Sequence, residues 1–428
     1  MMICFARRTE DLYYVLQGGT MKFIVIIFFL IIFCSFASGS DWNQWRGPNR
    51  DGSSSTFKIP ATPPNQLKQV WNVEVGVGHA SPIISANKVF LISRIGEQEV
   101  AAAYDRATGK LLWKDSYDVP YQMNPAAIPH GKGPKSTPLV ANGQLYTFGI
   151  TGILSCYDAS AGKLLWRNDF KKHFPVTVPD FGTAMSPVVD RGLLFVHSGG
   201  PGQGALFALD ANTGDVKWSW TGDSAAYASP IIVEFNGTRQ IVTQTQKNIV
   251  GIATANGELL WKIPFITDYE QNSVTPVAYK DLLIFSGLDK GAFAVRIAKK
   301  DGKLEPQTAW QNEKASMYLS SPVLVGDYLY GMSHYRKGQY FCLDARTGEM
   351  KWTSTGAEGE NASIVNAGSA ILFLSNDAEL TIVRATEKNY EVIKKYTVAK
   401  SPTWAYPAVA DNQIVIKDLK SMTFYTLE

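Results

Sequence analysis

The 428 residues are enough for two or three ordinary domains or for one domain built by repetition. Apolar residues at 45% and charged residues at 18% fit a soluble globular chain. A formal charge of +3, without a block of basic residues, excludes a protein built mainly to hold nucleic acid or an anionic membrane.

Residues 1–20 lack signal character and read as a stretch upstream of a true start at Met21. Met21-Lys22 is followed by the apolar run FIVIIFFLIIFC, Phe23 to Cys34. It falls short of the about 20 residues that a membrane helix needs and fits the core of a secretory signal. Small residues from Ala37 to Ser40 allow cleavage. The expectation is a signal peptide over 21–39 and a periplasmic or secreted mature protein without a transmembrane domain. An uncleaved anchor is the alternative, and Phe33 disfavours lipid attachment at Cys34. Residues 40–64 carry WNQWRGPNRDG, Trp42 to Gly52, which reads as an ordered segment laid against the domain that follows.

From about residue 65 one grammar recurs. A small hydroxyl residue precedes a proline, an apolar run and a polar turn follow, then two more apolar runs, an Asp turn and a tryptophan. The prolines are Pro82, Pro138, Pro187, Pro230, Pro276, Pro322 and Pro407, and Ala362–Val365 holds the place without one. The openings are roughly 41 to 56 residues apart, a period that with short β-branched and aromatic runs marks a β-propeller. The closing aromatics are Trp113, Trp166, Trp218, Trp261, Trp310, Trp352 and Tyr396. The last unit stops after three strands, and Trp71 in KQVWNVEV supplies the fourth. The expected fold is therefore all-β: an eight-bladed propeller of four-stranded blades over 65–428, its ring closed by an N-terminal strand.

In DARTG the Asp344 side chain can hold backbone amides and Gly348 can take a positive φ, so the pair sets a turn. Trp352 is expected to pack between blades. Cys156 and Cys342 share a small buried slot with Ala103, Ala208, Ala253 and Ala294. Lying in opposite blades, they are expected to be free thiols. The histidines and the long insertions, 114–135 and 167–185 among them, fall on one face, the usual place for partner binding.

The unit LDARTGEMKW and its relatives resemble the pyrroloquinoline-quinone-like (PQQ-like) β-propeller repeat family, and WNQWRGPNRDG resembles an N-terminal signature of its secreted bacterial members. The resemblance implies two functional branches. Quinoprotein dehydrogenases hold the quinone and Ca²⁺ in the ring mouth, typically with a vicinal Cys-Cys disulfide, carboxylate and amide ligands and a catalytic Asp. This chain has no adjacent Cys pair, and the ligand and base motifs match no positions. The other branch uses the ring as a scaffold in outer-membrane protein assembly, without quinone. The expectation is a non-catalytic binding or scaffold protein with no cofactor, whose partner is an envelope protein, a peptide or a polysaccharide. The alternative is a PQQ- and calcium-dependent alcohol or sugar dehydrogenase with a degenerate site. No Asp-box repeat supports a hydrolase.

Aligning the blades on the opening proline places a mostly small residue two positions before it (Ala80, Ser136, Ala228, Ser320, Ala362 and Ala405) and a varied one three before it. The varied set should line the channel mouth. The candidate ligand-binding residues are His79, Lys135, Tyr227, Asn361 and Trp404, with Tyr318 and His334 nearby. Aromatic platforms and donors with few carboxylates suit a sugar, a peptide or an anionic group better than a metal. No metal ligands and no catalytic residues are assigned.

Overall fold

The computed structural model describes residues 41–428 apart from Thr177 and Asn236. The expected upstream stretch and signal peptide lie outside the described residues. The strands form eight four-stranded antiparallel sheets, and seven of them run A-B-C-D in chain order. The eighth joins Ala408–Ala410, Gln413–Lys417 and Ser421–Thr426 to the N-terminal strand Lys68–Glu74. In that sheet Trp71 pairs with Phe424, and their rings stack with centroids 5.1 Å apart. The ring is therefore closed by pairing the two ends of the propeller, which leaves no unpaired edge at the join.

The repeated residues form two rings of contacts between blades. The inner ring uses the hydroxyl before each proline. Ser81 N–H donates to Thr137 Oγ1 (3.3 Å), Thr137 N–H to Ser186 Oγ (3.0 Å), Ser186 N–H to Ser229 Oγ (2.9 Å) and Thr275 N–H to Ser321 Oγ (3.0 Å). Tyr406 N–H of the last blade returns to Ser81 Oγ (2.9 Å). Five of the blades thus satisfy the amide that opens their innermost strand on a neighbour, where water is excluded.

The outer ring uses the tryptophans. Trp71, Trp113, Trp166, Trp218, Trp310 and Trp352 each donate Nε1–H to a carbonyl in the C–D turn of the next blade, at 2.7–3.2 Å. The turns that receive them are built as expected. Asp344 accepts from Arg346 N–H (2.9 Å), and Gly348 has φ +75° with Trp310 against its Cα face. Blade four departs from the pattern. Trp261 faces Gly251, and its Nε1–H donates to Gln240 of its own blade (2.6 Å). This corrects one expectation: the small slot shared with Cys156 and Cys342 is filled by Gly251. Ala253 stands instead where other blades carry the turn aspartate, because its carbonyl accepts from Gly257 N–H as Asp344 accepts from Gly348. Both cysteines are free and buried.

The segment Trp42–Lys58 does more than lie against the ring, for it reaches the inner part of all eight blades. Trp42 exchanges backbone hydrogen bonds with Ile84, and Asn43 bonds Val140. Arg50 donates to the carbonyls of Ser186, Pro187 and Pro230 at 2.8–3.0 Å. Trp45 Nε1–H donates to Thr275 Oγ1 (3.0 Å), and Arg46 donates to the Pro322 carbonyl. Asn366 bonds Gly52 and Ser54, and Lys58 N–H reaches Asp411 O. The segment winds tightly, with Arg46, Gly47, Arg50 and Gly52 all at positive φ. A Cβ at Gly47 would meet the Trp42 ring at 2.8 Å, so glycine is required there. It is an axial plug, and its two arginines are held by carbonyl oxygens. Burial pulls the Arg50 guanidinium down to about 9, helped by neighbouring Arg46.

Candidate functional site

The loops that lead from strand D into the next strand A converge at one end of the axis. They bring His79, Lys135, Tyr227, Tyr318, Asn361 and Trp404 around a single pocket. Trp45 of the plug also lines it, while Asn49, Arg50 and Asp51 line a separate pocket. The mouth pocket therefore ends on the plug.

Half of its lining residues are aromatic, histidines included. His79 stacks on Trp404 at 5.6 Å with 17° between the planes, and His130 stands edge-on to Trp404 at 5.5 Å. Phe181 meets His130 at 5.7 Å and Tyr227 at 6.0 Å. Opposite, Tyr318 OH donates to Gln271 Oε1, and Ser273 Oγ donates to the Tyr318 carbonyl. Asn361 is fixed by Asn376 and Ser320, and its Oδ1 accepts from Ser320 Oγ (2.8 Å).

The electrostatics are one-sided, for no Asp or Glu lines this pocket. Lys135 Nζ donates to the Phe181 carbonyl at 2.6 Å, and burial pulls its ammonium down to about 8. His79 is pushed to about 3, first by burial and then by the charges of Lys135, Lys417 and His130. It is neutral at physiological pH. His130 is lowered by burial and by Lys135, with Glu360 acting in the opposite direction. Burial raises the Tyr227 and Tyr318 phenols.

Of the residues singled out from sequence, His334 stands apart. Its Nδ1 lies 3.0 Å from the Ser316 carbonyl and its Nε2 3.0 Å from Asp289. It lines an adjoining groove that shares His130, Tyr318, Leu319 and Trp404 with the mouth pocket and continues past Lys337 and Glu360. Sequence reasoning missed Trp45, His130, Phe181 and Gln271 as lining residues. His130 and Phe181 come from the long insertions, so loop length before the opening proline was the available signal. Trp45 was visible only as part of an unexplained motif.

The ring mouth is where a quinone and its Ca²⁺ would sit, and the residues present do not fit that pair. Ca²⁺ takes oxygen ligands rich in carboxylate, whereas this lining offers amides, phenols and a lysine. Among the described residues no group of three or more His, Cys, Asp or Glu could hold a metal ion. No helix among them is long and apolar enough to cross a membrane.

Fold and repeat together define a propeller of the PQQ-like class. The family model described as outer membrane protein assembly factor BamB matches residues 96–354, and the chain belongs to that family. It is 25% identical over 236 residues to the outer membrane protein assembly factor BamB of Shewanella oneidensis, covering 51% of this chain and 56% of that one. It is also 36% identical over 91 residues to the dehydrogenase subunit of the quinone alcohol dehydrogenase of Gluconobacter oxydans, covering 21% of this chain and 12% of that one. These matches span little more than half of the first relative's length and a small part of the second's. Among solved structures, BamB from Moraxella catarrhalis superposes with a TM-score of 0.59 at 14% identity, over 84% of this chain and 99% of that one. The quinohemoprotein alcohol dehydrogenase of Comamonas testosteroni gives 0.67 at 13% identity, over 91% of this chain and 80% of that one. At these identities the structures show the shared fold alone.

Proposed function

We propose that this protein is a non-catalytic binding propeller of the cell envelope, which engages an envelope protein, peptide or polysaccharide through its loop-decorated face and channel mouth. The observation that carries the reading is the mouth pocket, which is aromatic, closed below by the plug and free of carboxylates. It has the surfaces of a binding site and lacks the acid–base pair and cation ligands of an oxidase. Membership of the assembly-factor family supports the same reading. So do exposed apolar side chains on the loops of that face, with Ile128 at 61% and Tyr269 at 83% exposure. An envelope location accords with a signal peptide over 21–39, a start at Met21 and residues 40–64 as an N-terminal segment ahead of the propeller.

The test is site-specific photocrosslinking in cells, with a photoreactive phenylalanine at Tyr269 or Ile128 on the decorated face and at Arg191 on the opposite face. Adducts from the first two positions and none from Arg191 are expected. Equal labelling from both faces refutes the reading. The quinoprotein alternative, favoured by the partial match to an alcohol dehydrogenase, is tested by dye-linked alcohol or sugar oxidation after adding quinone and Ca²⁺. Saturable turnover establishes the enzyme and displaces the scaffold.

A further inference from the structure

Resting on that reading of the face, the charges inside it narrow what the mouth can take. Lys135 is half-buried among Phe181, Tyr227 and the His79–Trp404 stack. Its Nζ is held by one carbonyl, whereas an ammonium carries three donors. Lys417 stands close enough to act on His79 and is fully buried, its Nζ donating to Gly78 O at 2.6 Å and to Asp418 O at 3.0 Å. The charged groups acting on His79, namely Lys135, Lys417 and His130, are thus all basic. Glu360 acts on His130 from the adjoining groove, and Asp180 acts on Tyr227. Buried charge without a paired opposite charge is costly, and an arriving anion removes that cost.

We infer that the channel mouth is a receptor for a carboxylate carried beside an aromatic or apolar group, with Lys135 as the residue that receives the carboxylate. The aromatic walls take the apolar part. Their rings already pack edge-to-face and stacked on one another, which suits an inserted ring or aliphatic group better than a sugar lying on an open platform. The groove continuing past Leu319 and Lys337 gives an elongated ligand a way out. The carboxylate can belong to the end of a chain or to a free small acid, and the two share the same chemistry at Lys135.

Binding is proton-linked through the same lysine. An anion prefers the charged ammonium, which in the free protein persists below about 8 and is lost above it. Affinity should therefore be full at neutral pH and decline as pH rises past that value. Ligand charge in turn raises Lys135, so binding takes up protons on the alkaline side.

The experiment is calorimetric titration with four probes: acetyl-Gly-Gly-Phe as free acid, the same peptide as carboxamide, N-acetylphenylalanine and a neutral trisaccharide. At pH 7 the peptide acid should bind about tenfold more tightly than its amide, the scale of one charge-assisted hydrogen bond. The preference should vanish in Lys135→Met. In Lys135→Arg it should persist and lose its decline above pH 8, because Arg does not titrate there. Thermal melting of both variants establishes that they fold. A peptide acid tighter than N-acetylphenylalanine assigns the site to chain ends, and equal affinity assigns it to small acids. Equal binding of acid and amide, or binding of the trisaccharide alone, overturns the inference and leaves the decorated face as the binding surface. Failure of the binding-face reading itself would show in the crosslinking instead.

Discussion

Gly348→Ala tests the interlock between blades most directly. Gly348 has φ +75°, and a Cβ there would stand 2.5 Å from Trp310 Cε3 and 2.7 Å from Cδ2. Holding alanine at that φ costs about 1–2 kcal/mol. Displacing a packed ring costs about 1–3 kcal/mol more. The shift also loosens the Trp310 Nε1–H bond to Ala345 O, now 2.9 Å, worth about 1 kcal/mol. The expected loss is about 3–5 kcal/mol. Gly326→Ala is the control in the same blade: φ is +58° with nothing within 4 Å of the new Cβ, so only the backbone cost of about 1–2 kcal/mol applies. The smaller freedom of the unfolded alanine chain offsets both variants equally. Urea unfolding followed by far-UV circular dichroism reads the difference. Equal losses in the two variants would refute the argument that the repeated glycine is there to receive the preceding blade's tryptophan.

Trp352→Ala removes a buried ring and its 2.7 Å bond to Thr386 O, and should cost about 3–5 kcal/mol by the same assay; a loss under about 1 kcal/mol would place the ring outside the core. Arg50→Met leaves the carbonyls of Ser186, Pro187 and Pro230 without their donor, and should destabilise by about 2–4 kcal/mol despite relieving repulsion with Arg46; unchanged melting would show the plug to be dispensable. Deleting Lys68–Glu74 strips the outer edge of Ser421–Thr426, which keeps only its pairing with Gln413–Lys417, and should lower the melting temperature and promote self-association in light scattering. Burial holds His197 at about 4, below its unfolded value of about 6.5, so the unfolded chain binds more protons between these values and stability falls as pH drops through that window, by about 2–3 kcal/mol at the bottom. His79 adds to the loss in the same direction. Melting temperatures from pH 7 to 4 should decline less steeply in His197→Gln, and an identical profile would contradict a neutral buried imidazole.

Much of this architecture was written in the repeat. A hydroxyl before proline, an Asp-Gly turn and a tryptophan recur because most blades satisfy the same inner amide and receive the same outer ring. Local spacing is therefore enough to count eight blades and to find Trp71 as the missing strand. The varied position before each opening proline could likewise be read as facing the axis, since rotational symmetry carries equivalent positions to equivalent places. Symmetry is also where that legibility stopped. Trp42–Lys58 occurs once, so no repeat announces its partners, and only the folded ring brings Ser186, Pro230, Pro322 and Asp411 within reach of one short segment. His130 and Phe181 enter the pocket from insertions whose path no period constrains. Blade four, with Ala253 in the aspartate's place and Gly251 opposite Trp261, shows that register within a blade is decided by pairing across the sheet. The charge state of the mouth was equally out of reach of the sequence. Lys135 and His79 lie far apart along the chain, and they share one desolvated, carboxylate-free pocket only because the ring closes and the plug fills the axis beneath them.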